Sequence, residues 1–303
     1  MQNMTNHLTD WVLAGGSRAE RDAFAGLAAG ASARLELEGA SRFLNVPFEA
    51  ARFEKARELA QKHSIDFEAV PAGLSIAGYR LAVFDMDSTL IGNECIDELA
   101  DIAGCGEEVA KITRAAMEGH LPFAENLCRR TALLKGLPKS AVDEVIARIR
   151  INPGVEDWMH FLSEHGVAAY VFSGGFAEIA RVVAKRLGMQ GFVCNRLEWQ
   201  DGRLTGRVAG PAGGRILDAD GKRRALEVAA ELADVPLSAC IAAGDGANDL
   251  EMIAAAGFGF AYHGKPVVAQ AAAHAVRFGG FETARLWFIE SWADARSSAL
   301  TAG

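Results

Sequence analysis

Short runs of apolar residues, each closed by a polar or glycine-rich turn, recur from the second quarter of the chain onward. They lie at residues 81–84, 167–172, 239–243 and 257–262. Apolar runs without alternation are typical of strands buried on both faces, as in a parallel sheet covered by helices. Helical patterns over residues 176–187 and 222–232 supply the crossovers. The pattern predicts an α/β domain with a doubly wound, Rossmann-like parallel sheet, which binds ligands beyond the carboxyl ends of its strands.

A long helical excursion separates the first two predicted strands. Residues 91–152 contain four helix candidates, at residues 94–103, 107–117, 123–134 and 139–150. One helix is enough for an ordinary crossover, so this length predicts an inserted helical cap that excludes water from the strand ends. Further on, residues 196–208 place an Asp-Gly turn between alternating arms, which predicts a hairpin.

The N-terminal and C-terminal segments show other patterns of apolar and polar residues. Residues 1–78 predict a small α+β domain. Residues 33–38 and 65–70 alternate polar and apolar positions, as strands with one solvent-facing side do, and the segment between them carries an apolar stripe at helical spacing. This domain carries no chemical constellation, which favours a docking or dimerisation module. The core is then expected over residues 79–90 and 153–280, the cap over 91–152, and a C-terminal helix over 281–303 that includes Trp287.

Composition narrows the class of protein. The 303 residues are 50% hydrophobic and carry a net charge of −8, which argues against disorder and against non-specific binding to nucleic acid or an anionic membrane. No apolar stretch approaches the ~20 residues of a membrane span, and residues 1–10 lack the layout of a signal peptide. Five cysteines without a CxxC pair suggest reduced thiols in a cytoplasm. A homodimer stays open.

Three polar turns follow the predicted strands. Asp85 and Asp87 point to the same side after the first strand, where one carboxylate can attack an electrophile and the other can pass a proton. Ser173 and Gly174 precede a helix, where a hydroxyl and free N–H groups can hold a phosphate. The third turn contains Asp245, Asn248 and Asp249, more polar groups than a helix cap requires.

If these turns converge, their carboxylates crowd together. Two like charges about 4 Å apart repel by roughly 4 kcal/mol at an effective dielectric constant of about 20, so protons or a cation must be present. Carboxylate oxygens without a histidine or cysteine pattern favour Mg²⁺ over zinc. The constellation predicts phosphoryl transfer through an aspartyl-phosphate. Lys222 is the candidate counter-charge for the phosphate.

In this order, DMDST, the Ser-Gly-Gly turn, Lys222 and GDGANDLEM resemble the four motifs of the haloacid dehalogenase-like phosphatases. The segments IGNECIDELA, MEGHLPF, CRRTALLKGLP and VFSGGF are similar to those of the family members that hydrolyse phosphoserine. The resemblance covers residues 79–280 and is carried by several separately spaced motifs.

The resemblance implies a role for each residue. Asp85 would be the nucleophile and Asp87 the general acid and base, with Lys222 beside the phosphate. Mg²⁺ would be held by Asp85, Asp245 and the carbonyl of Asp87, with Asp249 in support. The substrate would contact residues of both the cap and the core, namely Glu94 at the ammonium, Arg130 at the carboxylate, Met117 and Phe123 around the pocket, and Ser173, Gly174 and Asn248 at the phosphate.

The implied activity is Mg²⁺-dependent hydrolysis of O-phospho-L-serine to L-serine and phosphate, the last step of serine biosynthesis. Three alternatives remain open from the residues: transfer of the phosphoryl group to another alcohol such as homoserine, hydrolysis of a different phosphomonoester, and phosphoserine binding on a retired scaffold. The intact Asp85, Asp87 and Asp245 count against the last.

Overall fold

The computed structural model describes residues 8–117, 122–293 and 295. They fall into two compact units. The first comprises Met1–Gly78, Pro153–His165 and His274–Gly303, and the second comprises Tyr79–Asn152 and Gly166–Ala273. Residues 153–165 and 274–280, which the sequence pattern groups with the core, cluster here with the N-terminal residues.

The N-terminal part of the first unit is a βαββαβ arrangement. Its elements are β1 (Leu8–Ala14), α1 (Arg18–Asp22), β2 (Ala33–Leu37), β3 (Ala40–Pro47), α2 (Ala50–Lys62) and β4 (Asp66–Pro71). The strands form a sheet in the order β2-β3-β1-β4, with antiparallel neighbours, which is a ferredoxin-like topology. Trp11, Phe43 and Phe67 pack with Phe24 and Ala56 in one apolar cluster.

The second unit begins with β5 (Leu81–Phe84), which is buried along its whole length. Four helices follow: α3 (Cys95–Ala103), α4 (Gly106–Met117), α5 (Phe123–Ala132) and α6 (Lys139–Ala147). They match the four predicted helices closely, although the last two end earlier than expected.

The chain then continues through α7 (Val155–Glu164), which belongs to the first unit, and returns to the second. There it forms β6 (Ala168–Phe176), α8 (Ala177–Arg186), β7 (Gly191–Gln200), β8 (Arg203–Ala209), α9 (Ala219–Leu232), β9 (Cys240–Gly244), α10 (Leu250–Ala255), β10 (Phe258–Tyr262) and α11 (Pro266–Ala271).

The strands of the second unit confirm the predicted α/β class. Their order is β10-β9-β5-β6-β7-β8. Neighbours from β10 to β7 are parallel, and β7 and β8 form the predicted antiparallel hairpin. Since β5 lies between β6 and β9, the residues that follow these three strands meet at one edge of the sheet.

Strand β4 corrects one expectation about the first unit. Its predicted solvent-facing side is buried, because Asp66 and Glu68 accept hydrogen bonds from a later segment of the same unit. Asp66 accepts from the backbone N–H groups of Arg277 at 2.6 Å and Gly279 at 2.7 Å. Glu68 accepts from the Ala275 N–H at 3.0 Å. The polar residues that alternate along β4 are therefore buried carboxylates with hydrogen-bond donors, and they do not form a solvent-facing side.

The helix predicted over residues 281–303 is wrong for residues 286–292, and residues 294 and 296–303 lie outside the described part of the chain. After β11 (His274–Val276), the unit contains α12 (Glu282–Arg285) and a 3₁₀ turn over Ile289–Trp292, while Trp287 lies in the turn between them. The Ile289 N–H donates to the Leu74 carbonyl at 2.8 Å instead of continuing the helix. The Ser291 hydroxyl and Trp292 indole then satisfy the carbonyls of Arg285 and Leu286. No helix in the described part of the chain is long and apolar enough to span a bilayer.

Candidate active site

The first two acidic residues lie just beyond β5. The Asp85 N–H donates to the Ala243 carbonyl at 3.0 Å, which continues the pairing of β5 with β9 and fixes the Asp85 backbone. Asp87 Oδ1 accepts from the Cys95 N–H at 3.2 Å, at the start of α3. Burial raises the pKa of Asp87 to about 7, and the charges of Glu94 and Asp85 act in the same direction. Asp87 is therefore suited to exchange a proton near neutral pH.

Lys222, on the first turn of α9, contacts Asp85 and one further acidic residue. Its Nζ is 2.7 Å from Asp85 Oδ1 and 2.6 Å from Asp249 Oδ1, and the side chain is fully buried. Burial alone would favour the neutral amine, but the charges of Asp249 and Asp85 outweigh it and hold the pKa of Lys222 above its usual value. The residue is a fixed positive charge beside Asp85.

Three buried carboxylates form the floor of the site. Asp85, Asp245 and Asp249 each offer an oxygen, and these oxygens lie within 4.8 Å of one another. Burial, with Asp85 adding to it, raises the pKa of Asp245 and raises that of Asp249 to about 7. Three acids beside one buried lysine leave an excess of negative charge, and such a set of oxygen donors fits a hard divalent cation.

Neighbouring groups fix the floor carboxylates in place. The Thr89 hydroxyl donates to Asp245 Oδ1 at 3.1 Å, and Lys265 Nζ lies 3.5 Å from Asp245 Oδ2. Asp249 Oδ2 accepts from the Gly246 N–H at 3.0 Å. A Cβ at Gly244 would lie 2.3 Å from the Asp249 carboxyl carbon, so only glycine allows this close approach.

The Ser-Gly-Gly segment differs from the predicted turn at a helix start. Strand β6 continues through it to Phe176, with a register shift against β7 between Ser173 and Phe176. The reason is pairing with β7, where Ser173 lies opposite Cys194. The Gly175 N–H donates to Ser173 Oγ at 3.0 Å. A Cβ at Gly174 would lie 2.6 Å from the Phe123 ring, and one at Gly175 would lie 2.7 Å from Asp87 Oδ2.

Most of the predicted site residues line one cavity of about 850 Å³ in the second unit. The cap residues Glu94, Phe123 and Arg130 lie on its wall together with core residues, which are Asp85, Asp87, Ser173, Gly174, Asp245 and Asn248. Lys222 and Asp249 are fully buried and do not line the cavity, but Lys222 contacts both Asp249 and the lining residue Asp85. Met117 was also predicted to line the pocket, but its side chain lies outside the part of the chain that the structure describes.

The two cap charges differ in exposure, since Glu94 is exposed at the cavity wall and Arg130 is half-buried. Desolvation nevertheless raises the pKa of the Glu94 carboxyl, and Asp245 adds to this effect. Burial lowers the pKa of Arg130, while Asp97 and Glu94 oppose that shift. Both groups therefore carry charges that a ligand of opposite sign would stabilise.

The sequence analysis missed several residues of the site. Thr89 stood within the DMDST motif, and Lys265 follows the fourth predicted strand, so both had a positional signal. Asn195 had none: it is fully buried, donates to the Gly174 carbonyl at 2.8 Å and accepts from the Leu217 N–H at 2.7 Å. It thereby fastens the Ser173–Gly175 segment to the chain that leads into α9.

Comparisons with known proteins find relatives of similar sequence and fold. A phosphoserine phosphatase of Streptomyces coelicolor is 47% identical over 212 residues, which cover 70% of this chain and 51% of the relative. The crystal structure of a probable phosphoserine phosphatase from Vibrio cholerae superposes with a TM-score of 0.79 at 29% identity, covering 98% of this chain and 91% of that one. A phospho-aspartyl intermediate analogue of phosphoserine phosphatase matches with a TM-score of 0.64 at 37% identity, over 69% of this chain and 99% of that one.

The chain spans about half the length of the Streptomyces coelicolor relative. The family model for haloacid dehalogenase-like hydrolases matches residues 82–254, more than half of the chain, and this range runs from β5 to α10. On this match the chain belongs to the haloacid dehalogenase-like hydrolase family.

Proposed function

We propose that this chain hydrolyses O-phospho-L-serine to L-serine and phosphate. The observation that carries the proposal is the charge layout of one cavity, with Asp85 on the floor and Glu94 and Arg130 on the cap wall. A carboxylate suits the ammonium of a zwitterion, and a guanidinium suits its carboxylate. The phosphoserine phosphatases among the relatives support the same substrate.

In the first chemical step, Asp85 attacks phosphorus. Lys222 holds Oδ1 of Asp85, so Oδ2 is the attacking atom. The bond from Asp85 to phosphorus forms as the bond from phosphorus to the serine oxygen breaks. Protonated Asp87 gives its proton to that oxygen, which its raised pKa allows near neutral pH.

In the second step, the aspartyl-phosphate is hydrolysed. Asp87, now a carboxylate, takes a proton from water, and the water oxygen attacks phosphorus. The bond from phosphorus to Asp85 breaks, which releases phosphate and restores the carboxylate. Lys222 and Ser173 would stabilise the charge on the transferring group, with Gly174 and Asn248 beside it.

The same proposal includes Mg²⁺ at the floor of the cavity. Asp85, Asp245 and the carbonyl of Asp87 would hold it, with Asp249 in support. When bound, the ion would neutralise the carboxylates and so let a phosphate dianion approach Asp85.

The five cysteines are all free, which supports the cytoplasm as the working compartment.

The test is phosphate release from a panel of phosphomonoesters, with and without Mg²⁺. The variant is Asp85→Asn, and the matched control is Asp143→Asn, which makes the same change at an exposed residue of α6. Selective, Mg²⁺-dependent turnover of phosphoserine, lost only in Asp85→Asn, is expected. Equal turnover of the whole panel would contradict the proposal that phosphoserine is the preferred substrate. Phosphohomoserine formed when homoserine is added would instead indicate a phosphotransferase.

A further inference from the structure

Ser88 holds an unfavourable backbone conformation next to the catalytic aspartates. Its φ is +58°, in the left-handed region that side chains with a Cβ adopt at a steric cost. Glycine would relieve that cost. A serine at such a position indicates that its hydroxyl does something that glycine cannot do.

The hydroxyl of Ser88 has one hydrogen-bond partner among the described residues. Oγ donates to Glu94 Oε1 at 2.8 Å. The direction is fixed because an ionised carboxylate only accepts hydrogen bonds. Within the described part of the chain, the other oxygen of Glu94 accepts no hydrogen bond, and Glu94 faces the cavity. Ser88 itself does not line the cavity.

Within the described residues, the Glu94 carboxylate has no hydrogen-bond donor other than Ser88. Glu94 is the N-cap residue of α3, yet its side chain makes no capping bond. Asp87 takes that place by accepting from the Cys95 N–H at 3.2 Å. A glutamate has several rotatable bonds, so without a partner its carboxylate would move among several rotamers.

The loop that carries both residues is itself firmly held. The Ser88 N–H donates to the Asn93 carbonyl at 3.3 Å. The buried side chain of Asn93 accepts from the Arg150 N–H at 2.9 Å, and the Gly92 N–H donates to the Arg150 carbonyl. Ser88 therefore presents its hydroxyl from a fixed point.

We infer that Ser88 is a positioning residue that orients Glu94 toward the ammonium group of the substrate. This inference rests on the proposed function. Because Glu94 would contact a part of the substrate that does not react, loss of its orientation weakens binding in the ground state and the transition state alike. The expected signature is a higher KM with little change in kcat.

The experiment compares Ser88→Gly and Ser88→Ala with the wild type. Glycine removes both the hydroxyl and the backbone strain, whereas alanine removes only the hydroxyl. We expect both variants to raise KM for phosphoserine about five-fold, the scale of one hydrogen bond, with kcat within about two-fold. The melting temperature is expected to fall in Ser88→Ala and to hold or rise in Ser88→Gly.

Two controls separate positioning from a structural effect. Ser64, in the first unit, also has a positive φ, of +51°, so Ser64→Gly and Ser64→Ala repeat the backbone change at a residue that does not line the cavity. Neither should alter KM. In a Glu94→Ala background, Ser88→Gly should add no further increase in KM, because the partner is gone. A KM that follows the melting temperature, or stays at the wild-type value in both Ser88 variants, would overturn the inference.

p-Nitrophenyl phosphate, which has no ammonium group, separates this inference from the proposed function. The Ser88 variants should keep the wild-type KM for it. A wild type that hydrolyses p-nitrophenyl phosphate but not phosphoserine would overturn the proposed substrate and this role with it. Equal KM increases for both substrates would overturn the Ser88 role alone.

Discussion

The two units of the chain bury acidic side chains in different ways. In the first unit, each buried acid has fixed donors. Asp10, for example, accepts from Arg42 Nη2 at 2.8 Å, from the Asn45 N–H at 2.8 Å and from the Gly73 N–H at 2.9 Å. In the second unit, three carboxylates lie within 4.8 Å of one another, and the fully buried Lys222 forms ion pairs with two of them, Asp85 and Asp249.

The difference shows what each set of charges does. A buried charge with its hydrogen bonds complete ties distant segments together and needs nothing further from solution. A cluster with excess negative charge costs stability unless a proton, a cation or a ligand is present. The first arrangement serves folding, and the second is suited to binding and chemistry.

Asp85→Asn tests the chemical side of this comparison with the largest effect. The substitution removes the nucleophile, so phosphoserine turnover should fall at least about 10⁴-fold. It also removes one of three crowded charges, so the melting temperature measured without metal should hold or rise. An initial-rate assay and a thermal melt check both values. A large loss of stability would mean that Asp85 serves the fold as Asp10 does.

Asp87→Asn should have the next largest effect. Without its acid and base, kcat should fall by about 10²–10⁴-fold. An amide cannot accept the proton from water, so any phosphoenzyme formed should persist longer than in the wild type. Rapid acid quench with labelled phosphoserine measures that lifetime. Unchanged kcat would assign the proton transfer to another group.

Arg42→Met tests the structural side. It leaves Asp10 buried without its guanidinium, so the free energy of unfolding should fall by about 3–5 kcal/mol. The kcat of the folded protein should stay at the wild-type value. Urea denaturation followed by tryptophan fluorescence measures the loss.

The matched control for that experiment is Arg207→Met, which breaks an exposed ion pair with Glu198. It should cost no more than about 1 kcal/mol. Equal losses in the two variants would show that burial does not set the value of these ion pairs.

Metal removal should change the stability less than Arg42→Met does. If Mg²⁺ relieves the repulsion among the floor carboxylates, a concentration of about 100 times Kd stabilises the protein by about 2.7 kcal/mol. The gain should appear as a rise in melting temperature that chelation reverses. Asp245→Asn should reduce it, and Asp143→Asn should leave it intact. An undiminished rise in melting temperature in Asp245→Asn would show that the cation binds at another site.

The sequence predicted the second unit better than the first for a physical reason. Apolar strands and their polar turns are local patterns, so the edge of the sheet that bears Asp85 and Asp245 could be predicted. Strands β1 and β3 were missed because buried Asp10 and Arg42 interrupt their apolar pattern, and these partners are 32 positions apart.

Long-range partners also explain the other misses. The local pattern indicates that Asp66 faces solvent, because its hydrogen-bond donor, the Arg277 N–H, lies 211 positions further along the chain. Ser173 reads as a helix start until β7 pairs with it. Asn195 fastens the active-site loop from a strand without any motif. These contacts exist only in the folded chain, so local sequence patterns do not encode them.

The central claim is that the unbalanced carboxylates form a site where Asp85 becomes phosphorylated. The most direct measurement is peptide mass spectrometry after rapid acid quench of the enzyme with phosphoserine and Mg²⁺. The account predicts one added phosphoryl group on the peptide that contains Asp85, and none in Asp85→Asn. A phosphoryl group on a different residue, or turnover with no trapped phosphoenzyme even in Asp87→Asn, would contradict it.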